Sequence, residues 1–131
     1  MQTIYLIDDD PIIHTVIRRI FAEEFQVECA HTGLQGLREM EKSQPDIALL
    51  DLRMPDLDGL EVFRLMRDAE QLKHIPVIFL TAEEDSSIEE ICLQEGAIDY
   101  VKKPFAPRVL YNRVKNSLEL ISYRKGATGR A

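Results

Sequence analysis

The sequence predicts an α/β domain built on a parallel sheet, and three observations carry that expectation. Short apolar runs alternate with longer stretches of helical periodicity, the signature of βα units, and five such units can be counted. Two of the runs, Ile47-Ala48-Leu49-Leu50 and Val77-Ile78-Phe79-Leu80, are apolar at every position, as in strands covered by helices on both faces. Polar residues follow at the strand ends, Asp51 and Thr81 among them. A chain of 131 residues is the usual size of one domain and long enough to bury a core.

Taken in order, Thr3 to Ile7 reads as the first strand and runs into Asp8-Asp9-Asp10. Pro11, suited to a first helical position, opens a helix with Ile13, Val16, Ile17 and Ile20 on one face. Asp10 is placed as its N-cap, which leaves Asp8 and Asp9 for chemistry. Gln26 to Ala30 is the second strand, followed by a helix from about Leu34 to Lys42 with Leu34, Leu37 and Met40 apolar. The third strand ends at Asp51; Pro55 and Asp58-Gly59 then turn the chain into a helix, Gly59 to Ala69, through Val62, Phe63 and Met66. After Val77 to Leu80 and Thr81, the acids Glu83-Glu84-Asp85 suit a helix start. Ile98 to Val101 is the fifth strand, running into Lys102-Lys103-Pro104-Phe105. A last helix, about Ala106 to Tyr123, has Leu110, Val114, Leu118 and Ile121 on its core face, and Arg124 to Ala131 reads as a flexible tail or the start of a linker. The domain is therefore expected to span residues 1–123.

With 45% hydrophobic and 30% charged residues, the composition is that of a globular protein. A net charge of -7 disfavours direct binding to nucleic acid or an anionic membrane and favours a cation as ligand. No apolar run approaches the roughly 20 residues of a membrane span, so a cytoplasmic location is expected. Cys29 and Cys92 have no metal-ligand spacing and read as small buried residues in a reducing compartment. His14, His31 and His74 lack partners at ligand spacing and read as ordinary positions.

The strand ends converge on one sheet edge, where open α/β sheets bind ligands. Asp8 and Asp9 follow the first strand, Asp51 the third, Thr81 the fourth and Lys103 the fifth. Clustered carboxylates repel one another and call for a compensating cation, and their hard oxygens suit Mg²⁺. Lys103 adds a positive charge. A divalent ion, an ammonium and a hydroxyl together are the means of recognising a phosphoryl group, with Asp51 as the nucleophile.

The motifs Leu6-Ile7-Asp8-Asp9-Asp10, Leu50-Asp51-Leu52-Arg53-Met54-Pro55-Asp56-Leu57-Asp58-Gly59, Leu80-Thr81-Ala82 and Tyr100-Val101-Lys102-Lys103-Pro104-Phe105 are each weak alone. In this order and spacing the chain, from about Ile4 to Ile121, resembles a receiver domain of the two-component response-regulator family, similar to the chemotaxis response regulator. The resemblance implies a doubly wound, flavodoxin-like (βα)5 fold with strand order 2-1-3-4-5 and helices on both faces. It also implies a phosphorylation-dependent switch that is not an enzyme in the usual sense but takes part in its own phosphorylation and slow dephosphorylation. Asp51 would accept a phosphoryl group from the phosphohistidine of a histidine kinase or histidine phosphotransfer protein. Asp9, Asp51 and the Arg53 backbone carbonyl would ligate Mg²⁺, with Asp8 holding a metal-bound water. Lys103 would pair first with the carboxylate and then with the phosphoryl oxygen. Thr81 and Tyr100 would relay the state to an output domain or partner protein, and a phosphorylation-dependent homodimer is left open.

Arg53 and Glu83, two residues past Asp51 and Thr81, are expected to tune the lifetime of the phosphoryl group by pairing across the mouth of the site. Alternation along the fifth strand sends Lys102 away from Lys103. Rival classes fit less well. A haloacid-dehalogenase-like phosphatase wants a second Asp where Arg53 stands, and a flavin carrier wants a phosphate-cradling loop where Asp8 to Asp10 would repel it. The alternative is a receiver-like module that binds protein constitutively, without phosphorylation. Gly96 to Tyr100 lacks the paired acids typical of the family's winged-helix transcription regulators, so that subgroup is not the expected one.

Overall fold

A computed structural model describes residues 1–82 and 86–129. Among them, strands β1 (Gln2–Ile7), β2 (Phe25–Ala30), β3 (Ile47–Asp51), β4 (Val77–Thr81) and β5 (Asp99–Lys102) alternate with helices α1 (Pro11–Phe21), α2 (Gly33–Ser43), α3 (Gly59–Asp68), α4 (Ser86–Gln94) and α5 (Pro107–Gly129). All pairings are parallel and the order is β2-β1-β3-β4-β5, as the resemblance implies.

The period of two along a strand divides the core into two layers. Tyr5, Ile7, Ala48, Leu50, Val77 and Phe79 face α2, α3 and α4, where Met40, Phe63, Met66 and Cys92 complete one cluster. Ile4, Leu6, Ile47, Leu49, Ile78 and Leu80 face α1 and α5, against Ile17, Phe21, Leu110 and Val114. β3 and β4 are buried along their whole length because both layers cover them, which is why they carry no alternation.

The helix starts are set by side-chain caps. Asp10 accepts the Ile12 amide at 2.9 Å with Pro11 behind it, Thr32 accepts that of Gln35, and Asp58 and Glu61 form a reciprocal capping box. α2 departs from the expected helix. Leu34 is exposed, and the core side is Gly33, Gly36, Met40 and the partly buried Leu37. The helix lies so close to β1 that a Cβ on Gly36 would sit 2.2 Å from the Ile7 side chain, so glycine rather than leucine fills the contact. α5 continues past its expected end at Tyr123 to Gly129, and its core side adds Ser117 to Leu110 and Val114. The expected acidic helix start at Glu83-Glu84-Asp85 lies outside the described residues.

Candidate functional site: an acidic pocket at the carboxyl edge of the sheet

Two neighbouring strands deliver the acids. β1 and β3 are paired with Ile7 opposite Leu50, so the next residues, Asp8 and Asp51, emerge side by side at the carboxyl edge. Asp8 is fully buried, Asp51 is 7% exposed, and Asp9 is exposed. One carboxylate oxygen from each of the three lies within 4.8 Å of the others. β5 supplies the counter-charge from the same edge: Lys103 Nζ stands 2.7 Å from Asp8 Oδ2 and 3.4 Å from Asp51 Oδ1. The Lys103 amide donates to the Thr81 carbonyl at 2.7 Å, tying the end of β5 to that of β4, and the Lys103-Pro104 peptide is cis.

The two oxygens of Asp8 are both engaged, Oδ2 by Lys103 and Oδ1 by the Asp10 amide at 2.9 Å. Asp51 is held less fully, its Oδ1 taking the Arg53 amide at 3.4 Å. Its pKa is accordingly raised: burial is the main cause, the neighbouring Asp8 charge adds to it, and Lys103 only partly offsets them. Burial pulls the Lys103 ammonium the other way, but the hydrogen bond and charge of Asp8, with the charge of Asp51, outweigh it and leave its pKa raised. Lys103 thus pairs with two of the three acids. The remaining negative charge and the all-oxygen donor set fit a hard divalent cation such as Mg²⁺.

The loop after β3 shapes the rim. The Gly59 amide donates to the Leu52 carbonyl at 2.9 Å, and a Cβ there would lie 2.3 Å from the Asp51 carbonyl oxygen, so the tight return requires glycine. Asp9, Leu52, Arg53, Met54, Leu60 and Ile88 help line an open cleft of about 640 Å³ beside the acids. Arg53 is exposed and lines this cleft; its expected partner Glu83 lies outside the described residues. Thr81 ends β4, next to β3, and is 1% exposed; Tyr100 is partly buried on the α4 side of the sheet. Lys102 turns away from the acids toward Glu89, as alternation requires.

Two contributors escape the sequence. His14 is buried on α1, its Nε2 donates to the Asp8 carbonyl at 2.6 Å, and its ring stacks on that of His31 at 4.3 Å. Asp56 accepts the Gly33 and Leu34 amides at 3.3 and 3.2 Å and so caps α2 from the β3-α3 loop. His14 sits among the inward positions of α1, which is its one visible signal; nothing local to Asp56 points to α2.

Among known proteins, the family described as "Response regulator receiver domain" matches residues 4–115. TrcR, a transcriptional regulatory protein of Mycobacterium tuberculosis, is 34% identical over 122 residues, 92% of this chain and 46% of that protein. The uncharacterized transcriptional regulatory protein YclJ of Bacillus subtilis is 34% identical over 98% of this chain and 54% of its own. The chain thus spans about half the length of these relatives. Among solved structures, a CheY-like receiver domain protein of Methanospirillum hungatei superposes with a TM-score of 0.87 at 27% identity, covering 95% of this chain and 98% of that one. The receiver domain of a sensor histidine kinase from Pseudomonas aeruginosa, with a magnesium ion coordinated in its active-site cleft, gives 0.81 at 34% identity over 90% and 98% of the two chains.

Proposed function

The chain belongs to the response regulator receiver domain family, and from that premise we propose that it is a signalling switch set by phosphorylation of Asp51. The observation that carries the reading is Lys103 bridging the buried Asp8 and Asp51, with Asp9 beside them. That cluster is negative at rest and can hold a phosphoryl group once a cation is present.

A free oxygen of Asp51 attacks the phosphorus of a phosphohistidine on a histidine kinase or phosphotransfer protein. The O–P bond forms as the P–N bond breaks, and the leaving imidazole takes a proton from solvent. Lys103 stays within reach of the new phosphoryl oxygens and balances their charge. Asp9, Asp51 and the Arg53 carbonyl would hold Mg²⁺, with Asp8 reaching it through water, consistent with both Asp8 oxygens being taken. Bound there, Mg²⁺ would neutralise charge on the group in transfer. Thr81 turns toward the phosphoryl oxygens, Tyr100 follows on the same face of the sheet, and an output domain or downstream protein reads the changed surface. Arg53 at the cleft mouth slows the approach of water. This reading places the domain in the cytoplasm.

Phosphoramidate, whose P–N bond stands in for phosphohistidine, tests it. With Mg²⁺ the wild-type protein should gain one phosphoryl group by intact mass and Asp51→Asn none; a wild-type protein that gains none overturns the reading.

A further inference from the structure

α4 turns a carboxylate inward. Its sheet-facing positions are Ile88, Glu89 and Cys92, and Glu89 is only 8% exposed where the helical period calls for an apolar residue. Buried charge of this kind needs a partner, and Lys102 of β5 supplies it, Nζ standing 3.2 Å from Glu89 Oε1. Yet Oε1 accepts no hydrogen bond from any described residue. Tyr100 is the next neighbour: Glu89, first through hydrogen bonding and then through its charge, raises the pKa of the Tyr100 hydroxyl.

The register puts this cluster beside the switch. Thr81 is opposite Lys102 and Phe79 opposite Tyr100, so Thr81, Lys102 and Tyr100 project to the same face of the sheet, the one α4 covers. We propose that Glu89 is a latch between α4 and β5, gripping Lys102 beside Tyr100 so that the unphosphorylated arrangement is held until Thr81 moves. The proposal rests on Asp51 being the phosphoryl acceptor. The Lys102 side chain is half exposed, so its contact with Glu89 can open without disturbing the core. Among the described residues Oε1 has the Lys102 charge beside it but no hydrogen bond, which makes the latch shallow, since a buried acceptor without one costs free energy that release to water recovers. When Thr81 is drawn toward the phosphoryl group, the Lys102 and Tyr100 side chains lose their neighbour, and the Glu89 contact gives way with them.

The test is the initial rate of phosphorylation by acetyl phosphate and Mg²⁺, followed by intact mass, in wild type, Glu89→Gln, Lys102→Met and the double variant. Each single variant should react roughly three- to tenfold faster, because a shallow resting bias has been removed. The double variant should match either single one, because one contact is lost in all three. In protein carrying 3-fluorotyrosine, with the Tyr100 signal assigned by Tyr100→Phe, that signal should shift in both single variants toward its position in wild type bound to beryllofluoride, an unreactive mimic of the acyl phosphate. Melting curves show which variants fold; should Glu89→Gln fail to, the exposed Lys102→Met decides alone. Unchanged or slower rates with an unmoved Tyr100 signal, in a wild type that itself takes up phosphate, overturn the latch only. A wild type that takes up none overturns the acceptor assignment, and the latch with it.

Discussion

The carboxyl edge of the sheet and the far end of the α3-α4 layer use charge in opposite ways. At the far end the cations have partners on the surface: Arg64 holds Glu95 through two 2.7 Å hydrogen bonds, and Arg67 donates to the Gly96 and Lys73 carbonyls while covering the Phe63 ring. These contacts are largely in solvent and finished. At the carboxyl edge, three acids lie together and one lysine pairs with the two that are buried, and burial beside Asp8 leaves Asp51 with a raised pKa. Matched charge holds helices in place; unmatched charge stores the capacity to bind a cation and a phosphoryl group.

Substitutions at Asp51, Lys103 and Arg64 probe that contrast. The largest effect is on chemistry: Asp51→Asn should abolish phosphorylation outright, and retained uptake would mean the group goes elsewhere. Next is Lys103→Met, which strands Asp8 and Asp51 without compensation and should cost about 3 kcal/mol in urea denaturation without added cation. A loss below that of an ordinary surface substitution would show that the acids do not depend on Lys103.

Asp51→Asn should have the opposite sign on stability, favouring the fold at neutral pH without Mg²⁺. Because the folded-state pKa of Asp51 lies above its unfolded value, its protonated form favours folding; that contribution is full below the unfolded pKa and is lost as pH rises through the folded one. The advantage of the asparagine should therefore be present at neutral pH and vanish in acid, which melting curves across pH will show. A constant advantage would exclude titration of Asp51 as its source. The smallest effect is Arg64→Ala, whose loss in urea denaturation should not exceed that of an ordinary surface substitution, since its pair is exposed; phosphorylation should be unchanged, and a changed rate would erase the distinction between the two regions.

How much of this was legible follows from what each signal measures. The double-sided burial of β3 and β4, the acids at the strand ends, the Asp10 cap and the opposite directions of Lys102 and Lys103 all follow from period and alternation, which are local properties of the chain. His14 was hidden because hydropathy marks it polar, whereas what buries it is a backbone carbonyl supplied by another element. Leu34 misled for the converse reason: α2 approaches β1 through Gly33 and Gly36, and the close contact excludes the larger side chain. Asp56 acts on α2 from 23 residues away, a distance no window along the sequence spans. Glu89 breaks the apolar face of α4 for a partner on β5 that only the sheet register brings near.

Acids crowded at the carboxyl edge require a cation, and a Mg²⁺ titration followed by melting temperature reads that requirement. Wild type should melt higher as Mg²⁺ is added, with most of the gain lost in Asp51→Asn. A wild-type melting temperature indifferent to Mg²⁺ would contradict it.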